Sequence, residues 1–431
     1  MKKLVFLLML LPFLGAAQIY FPPSTSNQWD TLGVDELGWC DNYVDSLYDY
    51  LSDNNTKAFI LMKDGKIVLE QYFDGFQSDD FWYWASAGKT LTAFSIGLAQ
   101  QQGALNINDT TSDYLGSGWT SLTTAQEEKI TIKHQLSMTS GLDDISEFEC
   151  TADSCLTYLA DAGTRWAYHN APYTLLTDVL EQATGQIPNF FVAQHIKNPT
   201  GMDGVYINQG FNKVYTSTPR SMARFSLLML NNGNWDGTPI MTDANYFSEM
   251  VNSSQNLNEA YGYLWWLNGK NSFMLPSTQV VLPGKLFPNA PDETYAALGK
   301  NGQFINVLPS QGITWIRMGN APSNLFVPYL MNDEIWQRLN GLMCTTNAVD
   351  KVDPMDISLY PNPAQDVLHV EFEKGRSGNY RVLDVMGREV LKGRFENELK
   401  VSVDVAGLEK GVYRLLVERE GSVEVKVWVK E

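Results

Sequence analysis

Ser86-Ala87-Gly88-Lys89 sets a hydroxyl and an amine three residues apart, at the start of a stretch whose apolar spacing predicts a helix over 86–100. At that spacing both side chains share one helix face, so the Lys89 amine can reach the Ser86 hydroxyl. The helix N-terminus favours negative charge developing there. A second group is Tyr168-His169-Asn170, just ahead of a helix that starts near Pro172. A phenol with an ordinary pKa near 10 needs cations beside it to act as a base near neutrality. Lys89 and Lys300 are the candidates, and together they are expected to pull Tyr168 down. Asn170 offers a donor and an acceptor for orienting lysine and substrate. The third group, Gly299-Lys300-Asn301-Gly302-Gln303, stands directly before a predicted edge strand. Here Lys300 supplies positive charge, Gly302 lets the backbone come close to a ligand, and the amide of Gln303 can pair with that of Ser86 as an oxyanion hole. Taken singly, each group has a plainer reading: a capped amphipathic helix, a surface loop and a hairpin turn.

These groups need elements to position them. Residues 34–53 show helical spacing. Two apolar runs, 58–62 and 67–69, flank Lys63-Asp64-Gly65-Lys66, and Asp-Gly between apolar runs is a hairpin signal. The middle of the chain reads as helices separated by loops at 106–109, 140–141 and 231–234. Strand-like runs return at 261–266, 304–308 and 313–317, and a last helix fits 325–342. Strands at both ends of a helical insertion suggest an α+β fold or a mixed sandwich with a helical lobe.

Residues 1–17 read as a secretory signal: Lys2 and Lys3, an apolar run from Leu4 to Leu14, and the small residues Gly15-Ala16-Ala17. The apolar run is too short to span a bilayer, and no later segment is long and apolar enough. Export permits disulfides. Four cysteines allow three pairings, of which spacing favours Cys150–Cys155 as a local staple and Cys40–Cys344 as a tie between the ends of the larger domain. They lack the paired spacing and nearby histidines of a zinc site. The four histidines, His134, His169, His195 and His369, are scattered and form no H-E-x-x-H, and no G-x-S-x-G elbow occurs. His169 remains a lesser alternative as general base, and no metal or cofactor is implied. The net charge is −18, which disfavours nucleic acid and anionic lipid as partners. Residues 357–431 hold 12 basic and 13 acidic side chains, so nearly all the negative charge lies before them. A polar stretch over 346–356 reads as a linker. Beyond it come short alternating strands at 367–372, 380–385, 399–405, 411–417 and 423–429, with turns at 374–379 and 418–422.

Ser-x-x-Lys, then Tyr-x-Asn, then Lys-x-Gly at a strand start resembles the three-motif order of penicillin-binding proteins and class C β-lactamases. The resemblance covers residues 30–345 and extends to Ile130 through Leu142, to Ser217 through Leu230 and to Tyr261 through Trp266. It implies an α+β fold of an antiparallel sheet with flanking helices plus an all-helical lobe, and that Ser86 is acylated, that Tyr168 poised by Lys89 takes and returns the proton, and that Asn170 and Lys300 orient the substrate. The amides of Ser86 and Gln303 would hold the oxyanion. Asn301 stands where the lactamases carry Thr or Ser to help hold a β-lactam carboxylate. Gly299 and Gln303 look more like the esterase and amidase branch that includes 6-aminohexanoate-dimer hydrolase. The expected activity is therefore hydrolysis of a small ester, amide or D-amino-acid peptide, with β-lactams less favoured. The alternative is a sensor that acylates without turning over, or that binds cell-wall fragments.

Residues 357–431 resemble the C-terminal sorting domain of type IX secretion, through Leu359-Tyr360-Pro361-Asn362-Pro363, Asp384-Val385-Met386-Gly387-Arg388, Gly411-Val412-Tyr413 and Lys426-Val427-Trp428-Val429-Lys430. This resemblance implies a small all-β sandwich, the secretion machinery as partner, passage through the periplasm, and release or attachment at the outer-membrane surface.

Overall fold

A computed structural model describes residues 19–322, 327–344, 357–384, 388–419 and 422–431. The signal read over 1–17 and the linker read over 346–356 lie outside them. The chain forms two compact units, divided between Thr345 and Thr346.

The larger unit is built on a six-stranded antiparallel sheet. After helix α1 (Val44–Asp53), strands β1 (Thr56–Lys63) and β2 (Lys66–Tyr72) form the hairpin that Asp64-Gly65 announces. The other strands come from the far end of the chain: β5 (Trp266–Leu267), β6 (Tyr295–Gly299), β7 (Gln303–Leu308) and β8 (Ile313–Gly319). Their order is β2-β1-β8-β7-β6-β5, so both ends of the sequence meet in one sheet. Between β2 and β5 lie helix α2 (Lys89–Gln101), helix α3 (Asn170–Thr184), the hairpin of β3 (Val205–Gln209) and β4 (Asn212–Ser217), and helix α4 (Pro219–Leu230). α4 packs across β8, β7 and β1, while α2 packs on α3. All side chains of α2 from Lys89 to Ala99 are buried, which makes it the unit's central helix. Helix α5 (Tyr329–Leu342) returns beside α1.

Three expectations change in the larger unit. The strand read over 261–266 is a fold-back instead: Gly262 N–H donates to Trp265 O at 2.9 Å, Leu264 takes a left-handed φ of 60°, and only Trp266–Leu267 joins the sheet. Aromatic content signals a strand there, but complete burial of residues 260–266 decides the backbone. The helix read from residue 34 begins only at Val44, after a short 3₁₀ turn. The strand after the third motif is not at an edge, because β7 lies between β6 and β8.

Disulfides join Cys40 to Cys344 and Cys150 to Cys155, the pairing favoured by spacing. The smaller unit is all β: β9 (Ile357–Tyr360), β10 (Val367–Leu383), β11 (Glu389–Asp404), β12 (Gly411–Arg419) and β13 (Ser422–Lys430). β11 runs along one edge of β10, and β9 and then β12 share the other. A bridge between Ala364 and Lys430 nearly closes the sheet round a core that includes Leu368, Val382, Leu415 and Trp428. The turn read at 374–379 is absorbed into the long β10. Among the described residues no helix is long and apolar enough to cross a membrane.

Candidate active site

Ser86 sits in a 3₁₀ turn, Ala85–Gly88, that runs straight into α2. The turn is pinned from behind: buried Trp84 donates its amide to Tyr215 O and its indole N–H to Ser217 Oγ, both at 2.8 Å. Ala85 is held at φ 45°, a left-handed conformation costing an alanine about 1–2 kcal/mol. Gly299 on β6 passes so close that a Cβ there would lie 2.6 Å from Trp84 O.

Lys89 follows one turn later, buried, with Nζ 3.1 Å from Ser86 Oγ and 2.7 Å from Asn170 Oδ1. Its Nζ also lies 3.7 Å from the ring centre of Tyr173 and 5.0 Å from that of Tyr168. Burial drives the Lys89 amine well below the ordinary lysine value, with the Glu149 carboxylate pulling the other way. Tyr168 is buried, stacks on Trp266, and hydrogen-bonds Ser86. Burial pushes its phenol up, and the hydrogen bond to Ser86 only partly opposes this. The expectation that two lysines lower Tyr168 is therefore not met. Desolvation dominates, and Lys89 is itself too deeply buried to stay reliably charged.

Asn170 opens α3, and Tyr173 lies on the same face three residues on. Lys300 is exposed beside the cavity, with no side-chain hydrogen bond or ion pair among the described residues. The third motif is itself a hairpin turn, joining β6 to β7 with Gly299 paired to Gln303. Asn301 stands in it at φ 62°, a conformation that asparagine tolerates and β-branched residues resist. Its amide donates to Tyr83 Oη at 2.7 Å, so this side chain positions a cavity-lining phenol. The Gln303 side chain is buried and locks strand ends, donating to Gly319 O and accepting from Gly319 N–H. Only its backbone amide remains for an oxyanion.

Sequence reading missed Arg317. It is completely buried on β8 and donates to the carbonyls of Gly302 at 2.7 Å, Asn301 at 3.2 Å and Asn54 at 2.7 Å, and to Thr56 Oγ1 at 2.9 Å. A Cβ on Gly302 would meet Arg317 Nη1 at 2.4 Å, which explains glycine there. Because Gly302 C=O and Gln303 N–H belong to one planar peptide, a guanidinium holding the carbonyl fixes the direction of the amide. Also missed were the walls of the cavity, of about 290 Å³: Tyr83, Phe148, Glu149, Tyr173, Gln209, Asn212 and Val214. Tyr173 was findable by the spacing that linked Ser86 to Lys89. His169 is not among the residues lining the cavity: its Nε2 meets Glu147 O at 3.2 Å, Phe148 stacks on its ring, and burial pushes it down to about 4.

Residues 52–340 match the family described as Beta-lactamase. The chain belongs to the beta-lactamase family. Members of this family are serine hydrolases, esterases and amidases among them. An uncharacterized protein of Alkalihalophilus pseudofirmus is 23% identical over 308 residues, covering 63% of this chain and 85% of that protein. Among solved structures, one provisionally named 6-aminohexanoate-dimer hydrolase, from Bacillus anthracis, has a TM-score of 0.56 at 18% identity, covering 75% of this chain and 91% of that one. A family VIII carboxylesterase has a TM-score of 0.52 at 16% identity, covering 70% and 98%. At such identities the likeness is of the beta-lactamase fold. Residues 358–431 match the secretion system C-terminal sorting domain, which implies interaction with the type IX secretion system and export to the medium or the cell surface.

Proposed function

We propose that this protein is an exported serine hydrolase that forms an acyl-enzyme on Ser86 and releases it to water, acting on small esters, amides or D-amino-acid peptides. The observation that carries the reading is the pair of contacts at Lys89 Nζ, 3.1 Å to Ser86 Oγ and 2.7 Å to Asn170 Oδ1, on an amine whose pKa burial lowers. Lys89 accepts the Ser86 proton as Oγ attacks the substrate carbonyl. Tyr168, kept protonated by burial and hydrogen-bonded to Ser86, hands a proton to the leaving group and is resupplied by Lys89 with the proton taken from Ser86. Amides of Ser86 and Gln303 receive the oxyanion, with Arg317 fixing the second. Lys300 anchors an anionic part of the substrate at the rim. A water then takes the place of the leaving group and the same transfers run in reverse.

A fluorophosphonate should label Ser86, and p-nitrophenyl acetate should be turned over continuously, with both lost in Ser86→Ala. Labelling that survives in Ser86→Ala overturns the nucleophile. A single burst followed by silence makes the protein a sensor rather than an enzyme.

A further inference from the structure

Acyl transfer as just described has no use for one charged group in the cavity. Glu149 lines it together with Ser86, Lys89, Tyr173 and Lys300. Its carboxylate has no hydrogen bond or ion pair among the described residues. Yet the segment that presents it is tightly built. Arg165 bonds Asp144 at 2.5 Å in a mostly buried pair, and Asp143 accepts from Ile145 N–H at 2.9 Å and from Ser146 Oγ–H at 2.7 Å. His169 meets the carbonyl of Glu147, Phe148 stacks on that imidazole, and the Cys150–Cys155 disulfide secures the residue next to Glu149.

An anion in this place works against the chemistry as long as it stays unpaired. It favours the charged form of Lys89, whereas the reaction needs the free amine. A cation brought in by the substrate would cancel that effect and pair with this exposed carboxylate.

We propose that Glu149 is the subsite for a positively charged nitrogen of the substrate, so that the preferred substrates are esters or amides of amino-bearing acids with the ammonium left free. The proposal rests on Ser86 being the acylated nucleophile. With Lys300 across the same cavity, it selects compounds that carry an ammonium and, on the leaving group or beyond, an anion. Binding of the ammonium also prepares Lys89, because the carboxylate is neutralised when the correct substrate is in place.

The test uses methyl esters of D-alanine, L-alanine, 4-aminobutyrate and 6-aminohexanoate, each with its N-acetyl counterpart, with acid release followed by a pH indicator. The readout is the ratio of kcat/KM for the free amine to that for the acetylated partner, so general damage to a variant cancels. For the wild-type protein at least one pair should give a ratio above about tenfold, equivalent to about 1.4 kcal/mol. In Glu149→Gln the ratio should collapse to near one, and Glu149→Asp should keep part of it. If no methyl ester is turned over, the same pairs compete with the fluorophosphonate for Ser86, and the free amines should protect better. Equal rates or equal protection within every pair, or a ratio that survives in Glu149→Gln, overturns the inference. Fluorophosphonate labelling separates the two failures. Ser86 labelled without any amine preference removes the Glu149 subsite alone, whereas no labelling removes the hydrolase reading beneath it.

Discussion

Two lysines serve one cavity and share almost nothing else. Lys89 lies at its floor, buried, bonded to Ser86 and Asn170 and packed against two phenol rings, with burial lowering its pKa. Lys300 stands at the rim, exposed and unpaired among the described residues. The difference teaches that motif membership does not set a residue's chemistry, whereas solvation does. On the proposed reading, desolvation turns one amino group towards proton transfer, while the other is left at the surface to meet a substrate anion.

The comparison breaks most visibly at the floor. Lys89→Met should cut kcat for p-nitrophenyl acetate by a factor of about 10³ or more, through loss of the base together with its orientation of Ser86. The variant should nonetheless be at least as stable as the wild type. A lysine whose folded pKa is depressed destabilises the fold below its unfolded pKa of about 10.4, increasingly so as pH falls towards the folded value. Thermal denaturation across pH should therefore show the advantage of Lys89→Met widening as pH is lowered from about 10. A variant less stable at every pH would mean that Lys89 is held for its contacts.

Tyr168→Phe should lower turnover by about a hundredfold, the usual cost of a lost general acid. Because burial keeps Tyr168 protonated, the loss should be greater for poor leaving groups, amides above p-nitrophenyl esters. Equal losses for both would remove its role in leaving-group protonation.

Arg317 belongs to neither lysine's setting, and it tests how the rim turn is held. Arg317→Met should reduce kcat by about tenfold to a hundredfold, somewhat less than removing an oxyanion donor outright, with little change in KM. The affinity of a boronic acid, whose adduct fills the oxyanion hole, should fall in parallel. Arg317→Lys should recover part of both. A fall in melting temperature without these linked changes would make Arg317 purely structural.

The smallest effect is expected at the rim. Lys300→Ala should raise KM for substrates with a carboxylate by about tenfold, as for one lost charge contact at a partly open site, and leave kcat nearly alone. The acidic limb of the pH profile should not move, since on this account it follows Lys89. A shifted limb would restore the view that Lys300 tunes the proton-transfer groups.

Much of this was legible in the sequence because it is local. The three-residue spacing of Ser86 and Lys89, the Asp64-Gly65 hairpin and the strands at 304–308 and 313–317 are all carried by neighbours in the chain. What stayed hidden depends on distant partners. Arg317 is a charge within an otherwise buried strand, and only the folded chain shows the three carbonyls it serves. Glu149 and Phe148 sit in a loop without periodicity, brought to Ser86 by ties to His169 and Arg165. The electrostatics of Tyr168 were misread for a related reason: a sequence lists nearby charges but not the water removed from around them.

The Cys40–Cys344 disulfide has a consequence for how this protein can travel. Residues 40 to 344 form a closed covalent circle whose seam lies just before the segment leading to the sorting domain. A linear polypeptide drawn by its tail can pass an opening in single file. Once this bond has formed, the thread behind the tail divides at Cys344 into two strands that must advance side by side. A machine that recognises the tail therefore meets a looped cargo, and it must admit the larger unit folded, pass two strands at once, or act before Cys40 has found its partner.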